Sequence, residues 1–263
     1  MQHKFSIQIL SLLLSITFVV SACSTFAATP TPTDTPQPSA TPTLVPTATR
    51  TPTRTPRPTA TLNLTATQQI EEYQAEIQSY FDNGYLTTTD GIFRQFPDFK
   101  DHWAQLQWYR RTRLEGLDSS RYFSDFAFSA HFKWSSAYRN ADVSGCGVAF
   151  AVQLNDDHYA VFLDRSQVLF VKTDYYYYSA GPTRGTGRVH FDNPFDQPVE
   201  ADFTLIVQDA YAYVLVNNEL VGEYTLAQSR SVKGQIMPAM ISGTNKGFGT
   251  LCEMTNIHIF IPE

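Results

Sequence analysis

The stretch FAFSAHFKW, residues 126–134, decides the fold class of this chain. Large apolar side chains alternate along it with small or polar ones. Successive side chains of a β-strand point to opposite faces, so this period of two predicts a strand with one face in a hydrophobic core. The predicted core face consists of Phe126, Phe128, Ala130, Phe132 and Trp134, and the opposite face of Ala127, Ser129, His131 and Lys133.

Further stretches rich in β-branched and aromatic residues predict more strands. They are GCGVAFAVQ (145–153), HYAVFLDR (158–165), QVLFVKT (167–173), VEADFTLIVQ (199–208), YAYVLV (211–216), QIMPAMIS (235–242) and LCEMTNIHIFI (251–261). The predicted core face of the first consists of Cys146, Val148, Phe150 and Val152. A hairpin turn is predicted at Asn217 and Asn218, because asparagine tolerates a left-handed backbone. Many short strands at this spacing predict an all-β sandwich.

One helix is predicted before the strands, over residues 67–82. Apolar side chains recur there at helical spacing, at Ile70, Tyr73, Ile77 and Tyr80. Gly84 after Asn83 predicts the end of this helix, since glycine readily adopts the left-handed conformation of a helix C-terminus.

The N-terminus predicts export. Lys4 precedes an apolar run, residues 5–20, and small residues follow, which is typical of a secretory signal. A transmembrane helix is the alternative, but the run is shorter than the ~20 apolar residues that span a bilayer.

The last four residues of this region, Val20-Ser21-Ala22-Cys23, resemble the lipobox of bacterial lipoproteins. The resemblance implies that Cys23 carries a diacylglyceryl group and is the first mature residue. Membrane lipid would then be a partner, and the protein would be anchored to the outer face of the cell membrane. A plain cleavage site near residues 26–28 is the alternative.

Threonine and proline alternate through residues 24–62, without a hydrophobic period. Such a segment cannot bury a core and favours extended polyproline II, so a disordered spacer is predicted. The predicted division is a signal peptide over residues 1–22, a Thr/Pro stalk over residues 23–64, and a domain over residues 65–263 that holds the helix and the sandwich.

The cysteine count limits how the cysteines can pair, and the charge limits the kind of partner. The chain has three cysteines, and an odd number leaves one of them without a disulfide partner within an exported chain. If Cys23 carries lipid, Cys146 and Cys252 remain, and an oxidising compartment lets such a pair form a disulfide; two buried free thiols are the alternative.

The formal net charge is −6, and basic side chains outnumber acidic ones before residue 64, so the domain is more acidic than the whole chain. That argues against nucleic acid as a partner, because it requires a basic face.

The strand order and the hairpin VLVNNELVGEY, residues 214–224, resemble the concanavalin A-like lectin/glucanase jelly roll. The stretches SGCGVAF (144–150) and SGTNKGFGTLCEMTNIHIFI (242–261) resemble a group of exported lipoproteins typical of Chloroflexi-type bacteria, which combine a lipobox, a Thr-Pro stalk and this domain. The resemblance implies a jelly-roll sandwich after one helix. It also implies that Cys146 pairs with Cys252.

The glucanases of that fold carry three carboxylates as E-x-D-x-E on one strand, and the nearest match here is Glu200-Ala201-Asp202-Phe203-Thr204. By this resemblance Glu200 would be the nucleophile and Asp202 the assisting carboxylate. Thr204 would take the acid/base position, but a hydroxyl cannot replace a carboxylic acid there. We therefore expect Glu200 and Asp202 to lie on a solvated strand face and expect no catalytic set.

No metal or cofactor is expected, because zinc spacings, a P-loop and a G-x-S-x-G elbow are all missing from the sequence. The better clue is TDYYYYSAGPTRGTG, residues 173–187, where outward tyrosines beside polar residues can stack on a sugar ring. The candidate ligand-binding residues are Asp174, Tyr175, Tyr176, Tyr177, Tyr178 and Arg184. Packing of all four tyrosines within the sheet is the alternative.

Together these patterns predict a lipid-anchored, exported protein whose β-sandwich binds a carbohydrate or another cell-envelope component without catalysis. A sugar-active hydrolase with an unrecognised site is one alternative. A structural or protein-interaction module of the envelope is the other.

Replacing Cys23 tests the anchor. Cys23→Ala should move the protein from the membrane fraction to the soluble fraction, because acyl chains contribute ~0.8 kcal/mol per buried CH₂ and the variant has none. Fractionation followed by immunoblotting measures this, with Thr25→Ala as the control. Continued membrane association of Cys23→Ala contradicts lipidation.

Overall fold

The computed structural model describes residues 64–106, 108–117, 121–138, 143–154, 157–174, 176–192, 194, 196–227 and 232–263. The predicted signal peptide, Cys23 and almost the whole predicted stalk lie outside these ranges, so the predicted division of the chain stays a prediction. Within the ranges, none of the helical segments combines the length and the apolar character needed to cross a membrane.

The described residues form one helix followed by fourteen strands. They are α1 (Leu64–Asp82), β1 (Gly91–Gln95), β2 (Phe99–Trp103), β3 (Trp108–Arg111), β4 (Phe126–Ser136), β5 (Gly145–Val152), β6 (His158–Leu163), β7 (Val168–Asp174), β8 (Tyr176–Ala180), β9 (Arg184–Gly185), β10 (Val199–Gln208), β11 (Tyr211–Val216), β12 (Glu219–Thr225), β13 (Gln235–Ser242) and β14 (Thr250–Pro262).

These strands form two antiparallel sheets that pack face to face. The eight-stranded sheet has the order β1–β14–β4–β10–β11–β12–β9, with β2 also paired to β14, and the six-stranded sheet has the order β3–β13–β5–β6–β7–β8. The chain passes from one sheet to the other after β2, β3, β4, β8, β12 and β13. This is the predicted all-β jelly-roll sandwich preceded by one helix, and the prediction is confirmed.

The alternating pattern of β4 builds the core as predicted. All five residues of its apolar face are buried between the sheets, with at most 4% of their surface exposed. Within the eight-stranded sheet, the Phe132 and Phe203 rings stack with centroids 4.5 Å apart. Between the sheets, Phe170 of β7 stacks on Tyr224 of β12 at 4.2 Å. Such pairs stabilise a core by about 0.5–1.5 kcal/mol beyond the area that they bury.

The predicted core face of β5 is wrong at its end. Cys146, Val148 and Phe150 face the core, but Val152 packs in a different cluster, with Ala160 and Phe162 on the outer face of the six-stranded sheet. Ala151 has a left-handed backbone, with φ of 52°, and the pairing with β13 shifts register at this point. A bulge adds one residue and so reverses the alternation that follows it.

A disulfide joins Cys146 of β5 to Cys252 of β14, with 5.4 Å between their Cα atoms. Both cysteines are fully buried. The bond therefore ties the two sheets together through the core, and the predicted pairing is confirmed.

The helix packs on the outer face of the eight-stranded sheet. Its apolar contacts form a separate small cluster that contains Ile77, Tyr80, Leu86, Ala127, Ile206, Leu215 and Phe260. The predicted helix end is confirmed: Gly84 has φ of 73°, and Tyr85 N–H donates to the Tyr80 carbonyl at 2.9 Å. This is the Schellman arrangement, and it turns the chain so that Tyr85 lies on the sheet.

The disulfide gives the first test of the fold. It closes a loop with a sequence separation of 106 residues, so its removal should lower the free energy of unfolding by about 2–5 kcal/mol. The double variant Cys146→Ala/Cys252→Ala should show this loss in denaturant titration. Added reductant should destabilise the wild type and leave the variant unchanged; equal sensitivity of the two to reductant contradicts the assignment.

Candidate functional site

The outer face of the eight-stranded sheet carries polar side chains in rows, because its strands are in register. Glu253 of β14, Lys133 of β4 and Glu200 of β10 lie opposite one another in one row. The next row on β4 and β10 pairs His131 with Asp202. A third row contains His258, Ser129 and Thr204; α1 covers this row, and all three of its side chains are buried.

A bulge in β14 brings His258 into that third row. The pairing with β4 shifts register between Thr255 and His258, and Asn256 has φ of 52°. Met254 and Ile257 therefore both face the core, and His258 points outward to α1. The Asn256 side chain accepts a hydrogen bond from Tyr73 Oη of α1 at 2.9 Å, so the bulge also attaches the helix.

Glu76 of α1 is the centre of a partly buried hydrogen-bond network. Its Oε1 accepts from Ser129 Oγ at 2.7 Å and from the Tyr80 hydroxyl. Its Oε2 lies 3.0 Å from His258 Nε2, while His258 Nδ1 lies 3.0 Å from the Asn256 carbonyl. Thr204 Oγ1 completes the network, 3.1 Å from both Tyr80 Oη and Ser129 Oγ.

This network keeps Glu76 ionised. Burial alone raises the pKa of Glu76, but the hydrogen bond and charge of His258, with hydrogen bonds from Tyr80 and Ser129, outweigh it and leave the pKa below its ordinary value. Burial and the nearby Glu76 charge raise the pKa of Tyr80, which stays a neutral donor. The carboxylate is thus held as a structural anion with its acceptors occupied.

A cavity of about 520 Å³ lies between α1 and the sheet, beside this network. The sheet contributes Ser129, His131, Asp202, Thr204, Leu215, Asn218, Asn256 and His258, and the helix and the turn after it contribute Glu72, Glu76, Ser79, Tyr80, Asn83 and Tyr85, among others. Its lining is dominated by hydroxyl, amide, imidazole and carboxylate groups, which both donate and accept hydrogen bonds.

The rim of the cavity is accessible to solvent. His131 Nδ1 lies 2.8 Å from Asp202 Oδ1, and these side chains are 40% and 68% exposed. Asn218 is exposed at the tip of the β11–β12 hairpin, where Asn217 and Asn218 both have a left-handed backbone, as predicted. Asn217 Oδ1 accepts from the Asp202 backbone N–H at 3.0 Å, which holds the hairpin tip against β10.

The structure places the glucanase-like residues in different surroundings along one strand face. Glu200, Asp202 and Thr204 share the outer face of β10. Glu200 is half exposed and pairs with Lys133 at 2.5 Å; this hydrogen bond lowers the pKa of Glu200. Asp202 is exposed at the cavity rim, while Thr204 is buried under α1.

The tyrosine-rich candidates are only partly described. Tyr175 lies outside the described residues, and for Asp174 and Tyr176–Tyr178 the structure describes the backbone, which lies in β7 and β8 of the six-stranded sheet. Arg184 lies in β9, at the edge of the other sheet, where it pairs with Glu223 at 3.1 Å and lies over the Tyr85 ring. Ligand contact by Tyr175–Tyr178 stays a prediction.

Sequence reasoning missed the side chains that build the cavity. Ser129 and His131 were visible on the opposite face of FAFSAHFKW, but no ligand site was predicted there. Glu76 and His258 are far apart in sequence, and no local pattern joins them. Among the described residues, no cluster of three or more His, Cys, Asp or Glu is placed to hold a metal ion.

No protein-family model and no curated protein matches the chain. Among solved structures it is similar to the carbohydrate-binding module CBM66 from Bacillus subtilis, at 10% identity over 63% of this chain and 92% of that chain, with a TM-score of 0.41. It is also similar to the Bacillus licheniformis β-glucanase (14% identity, 55% of this chain and 69% of that chain, TM-score 0.36). A third similar structure is sheep galectin-11 in complex with glycerol, at 12% identity over 59% of this chain and 98% of that chain, with a TM-score of 0.32. At such identities and TM-scores, none of the three says what this chain binds.

The pH dependence of stability tests the Glu76 network. The folded-state pKa of Glu76 is lowered, so its contribution to stability is present above the ordinary pKa of a glutamate and is lost as the pH falls through the folded-state value. Glu76→Gln should reduce the free energy of unfolding by about 1–3 kcal/mol at neutral pH and should make its decline in acid shallower.

Denaturant titrations from neutral pH to about pH 3 measure both effects. Glu72→Gln is the matched control, because Glu72 is an exposed carboxylate one turn earlier on α1 and should behave like the wild type. An equally steep acid decline in Glu76→Gln contradicts the role of Glu76.

Proposed function

We propose that this chain is an exported, lipid-anchored protein whose jelly-roll domain binds carbohydrate in the cavity under α1 and does not cleave it. The observation that carries the proposal is the convergence of His131, Asp202 and Asn218 on the rim of a cavity of about 520 Å³. Small-molecule sites are concave and place a few polar groups to orient the ligand.

The chemistry of the lining favours a ligand with many hydroxyl groups. A sugar hydroxyl both donates and accepts hydrogen bonds, so it is complementary to a mixture of amide, imidazole and carboxylate side chains. Asp202 supplies an exposed acceptor, because its carboxylate is 68% exposed and contacts His131 through Oδ1. Asn218 supplies an amide with both a donor and an acceptor. Hydrogen bonds to a charged acceptor are about twice as strong as neutral ones, so Asp202 is the main polar contact in this proposal.

The ionisation of two carboxylates, Glu76 in the cavity lining and Glu200 in the neighbouring row, supports binding without hydrolysis. Glycoside hydrolysis requires a carboxylic acid that still holds a proton near neutral pH and a second carboxylate across the bond that is cleaved. The pKa of Glu76 is lowered and its oxygens are occupied. The pKa of Glu200 is lowered as well, by Lys133. The lowered pKa values of Glu76 and Glu200 favour their ionised forms, which disfavours both as the proton donor of a hydrolase.

The anchoring part of the proposal depends on the sequence of the first 64 residues. Lipid on Cys23 and an extended Thr/Pro stalk would present the domain at a distance from the membrane, at the outer face of the cell membrane. A cavity that binds envelope or environmental glycans is useful at that location.

Asp202→Asn tests the proposed site. The full chain in detergent is titrated with a panel of mono- and oligosaccharides of glucose, mannose, fructose and N-acetylglucosamine, and the same samples are searched for products by chromatography. Asp202→Asn should weaken binding about tenfold, because a neutral amide replaces a charged acceptor. Glu200→Gln is the matched control, since Glu200 lies one row away and pairs with Lys133.

Each result has a distinct meaning. Saturable binding that Asp202→Asn weakens and Glu200→Gln does not supports the cavity. Equal loss in both variants contradicts the assignment to Asp202. Products overturn the non-catalytic reading, and no binding to any member of the panel overturns carbohydrate recognition.

A further inference from the structure

Three tyrosines lie together on the outer face of the eight-stranded sheet, beyond the cavity. Tyr213 of β11 lies opposite Glu223 of β12, and Glu223 lies opposite Arg184 of β9. Tyr211 is two residues before Tyr213 and so shares its face. Tyr85 reaches the same place from the turn after α1. We call Tyr85, Tyr211 and Tyr213 the aromatic shelf.

The rings of the aromatic shelf are neighbours. Tyr85 and Tyr213 have centroids 4.9 Å apart and planes inclined by 34°. Tyr211 and Tyr213 have centroids 6.4 Å apart and planes inclined by 30°. The three rings therefore form a contiguous strip in which Tyr85 and Tyr213 overlap, and Tyr211 presents its most exposed ring.

The aromatic shelf begins where the cavity ends. Tyr85 lines the cavity and is also the first ring of the strip. Tyr211, at the far end, is 42% exposed, whereas Tyr85 and Tyr213 are partly buried. Tyr85 and Tyr213 pack against the cluster under α1, so their position has a structural reason. Tyr211 lies outside this cluster, so packing under α1 does not explain its position.

Charge at the edge of the aromatic shelf is balanced. Arg184 Nε lies 3.1 Å from Glu223 Oε2, and its guanidinium lies over the Tyr85 ring, 5.9 Å from the centroid. The pair leaves polar groups along the rings without adding net charge. A neutral ligand with apolar ring faces and polar edges matches this surface, and a sugar ring has that form.

We propose that the aromatic shelf binds further units of a neutral oligosaccharide whose first unit occupies the cavity. This rests on the proposed function, because the cavity supplies the first subsite. The site then prefers an oligosaccharide to a single sugar, and the exposed Tyr211 ring stacks on a later sugar unit.

Comparison of ligand lengths in a Tyr211 variant tests the proposal. The full chain in detergent is titrated calorimetrically with the mono-, tri- and hexasaccharides of glucose, mannose, fructose and N-acetylglucosamine. Wild type should bind the hexasaccharide at least tenfold more tightly than the monosaccharide of the same series. Tyr211→Ala should lose about tenfold for the hexasaccharide only, since one stacking contact is of that size. Tyr211→Phe should keep the wild-type affinity for the hexasaccharide, because stacking requires the ring and not the hydroxyl.

Tyr138→Ala is the matched control, because Tyr138 is 43% exposed but lies outside the cavity and the strip. Equal affinity for all lengths, or no effect of Tyr211→Ala on the hexasaccharide, overturns the aromatic shelf and leaves the cavity intact. Loss of monosaccharide binding in Tyr211→Ala also contradicts the proposal, since it places Tyr211 in the first subsite. No binding of any probe by wild type overturns both proposals together.

Discussion

The partly buried carboxylate of Glu76 is the contact on which the candidate site depends. A helix on the outer face of a sheet is usually held by apolar packing alone, and the cluster under α1 is small. Glu76 adds hydrogen bonds to Ser129 of β4 and His258 of β14, so the helix is attached to two central strands at once. A buried charge is costly without such partners, and the cost of misplacing it keeps α1 in one position. That position determines the width of the cavity.

Bulges at Ala151 and Asn256 change which side chains lie on the outer faces of the two sheets. At Ala151 the extra residue moves Val152 to the outside of the six-stranded sheet. At Asn256 the extra residue keeps Ile257 and Ile259 in the core while His258 faces α1. Bulges often occur next to functional sites, because they redirect a side chain without breaking the sheet. The second one supplies both the imidazole that pairs with Glu76 and the amide that accepts from Tyr73.

Local patterns in the sequence predicted the framework well and the site poorly. The period of two in β4, the hairpin at Asn217–Asn218 and the helix end at Gly84 depend on neighbours in sequence, and all three are confirmed. Val152 was misplaced because a left-handed alanine leaves no composition signal. Glu76 and His258 were not foreseen as a pair, since only the folded chain brings α1 and β14 together. Arg184 was grouped with the tyrosines before it, whereas pairing of β9 with β12 carries it to the opposite sheet.

The position of α1 at the start of the described domain has a mechanical consequence. A pulling force applied on the N-terminal side of α1 would act on this helix before it reaches the strands. Side-chain contacts hold α1 to the sheet, and these yield at lower force than the strand pairs on both sides of β4. The disulfide lies in the core between the two sheets, not between α1 and the sheet. Tension applied to the N-terminal end of α1 would therefore open the cavity before it unfolds the sandwich.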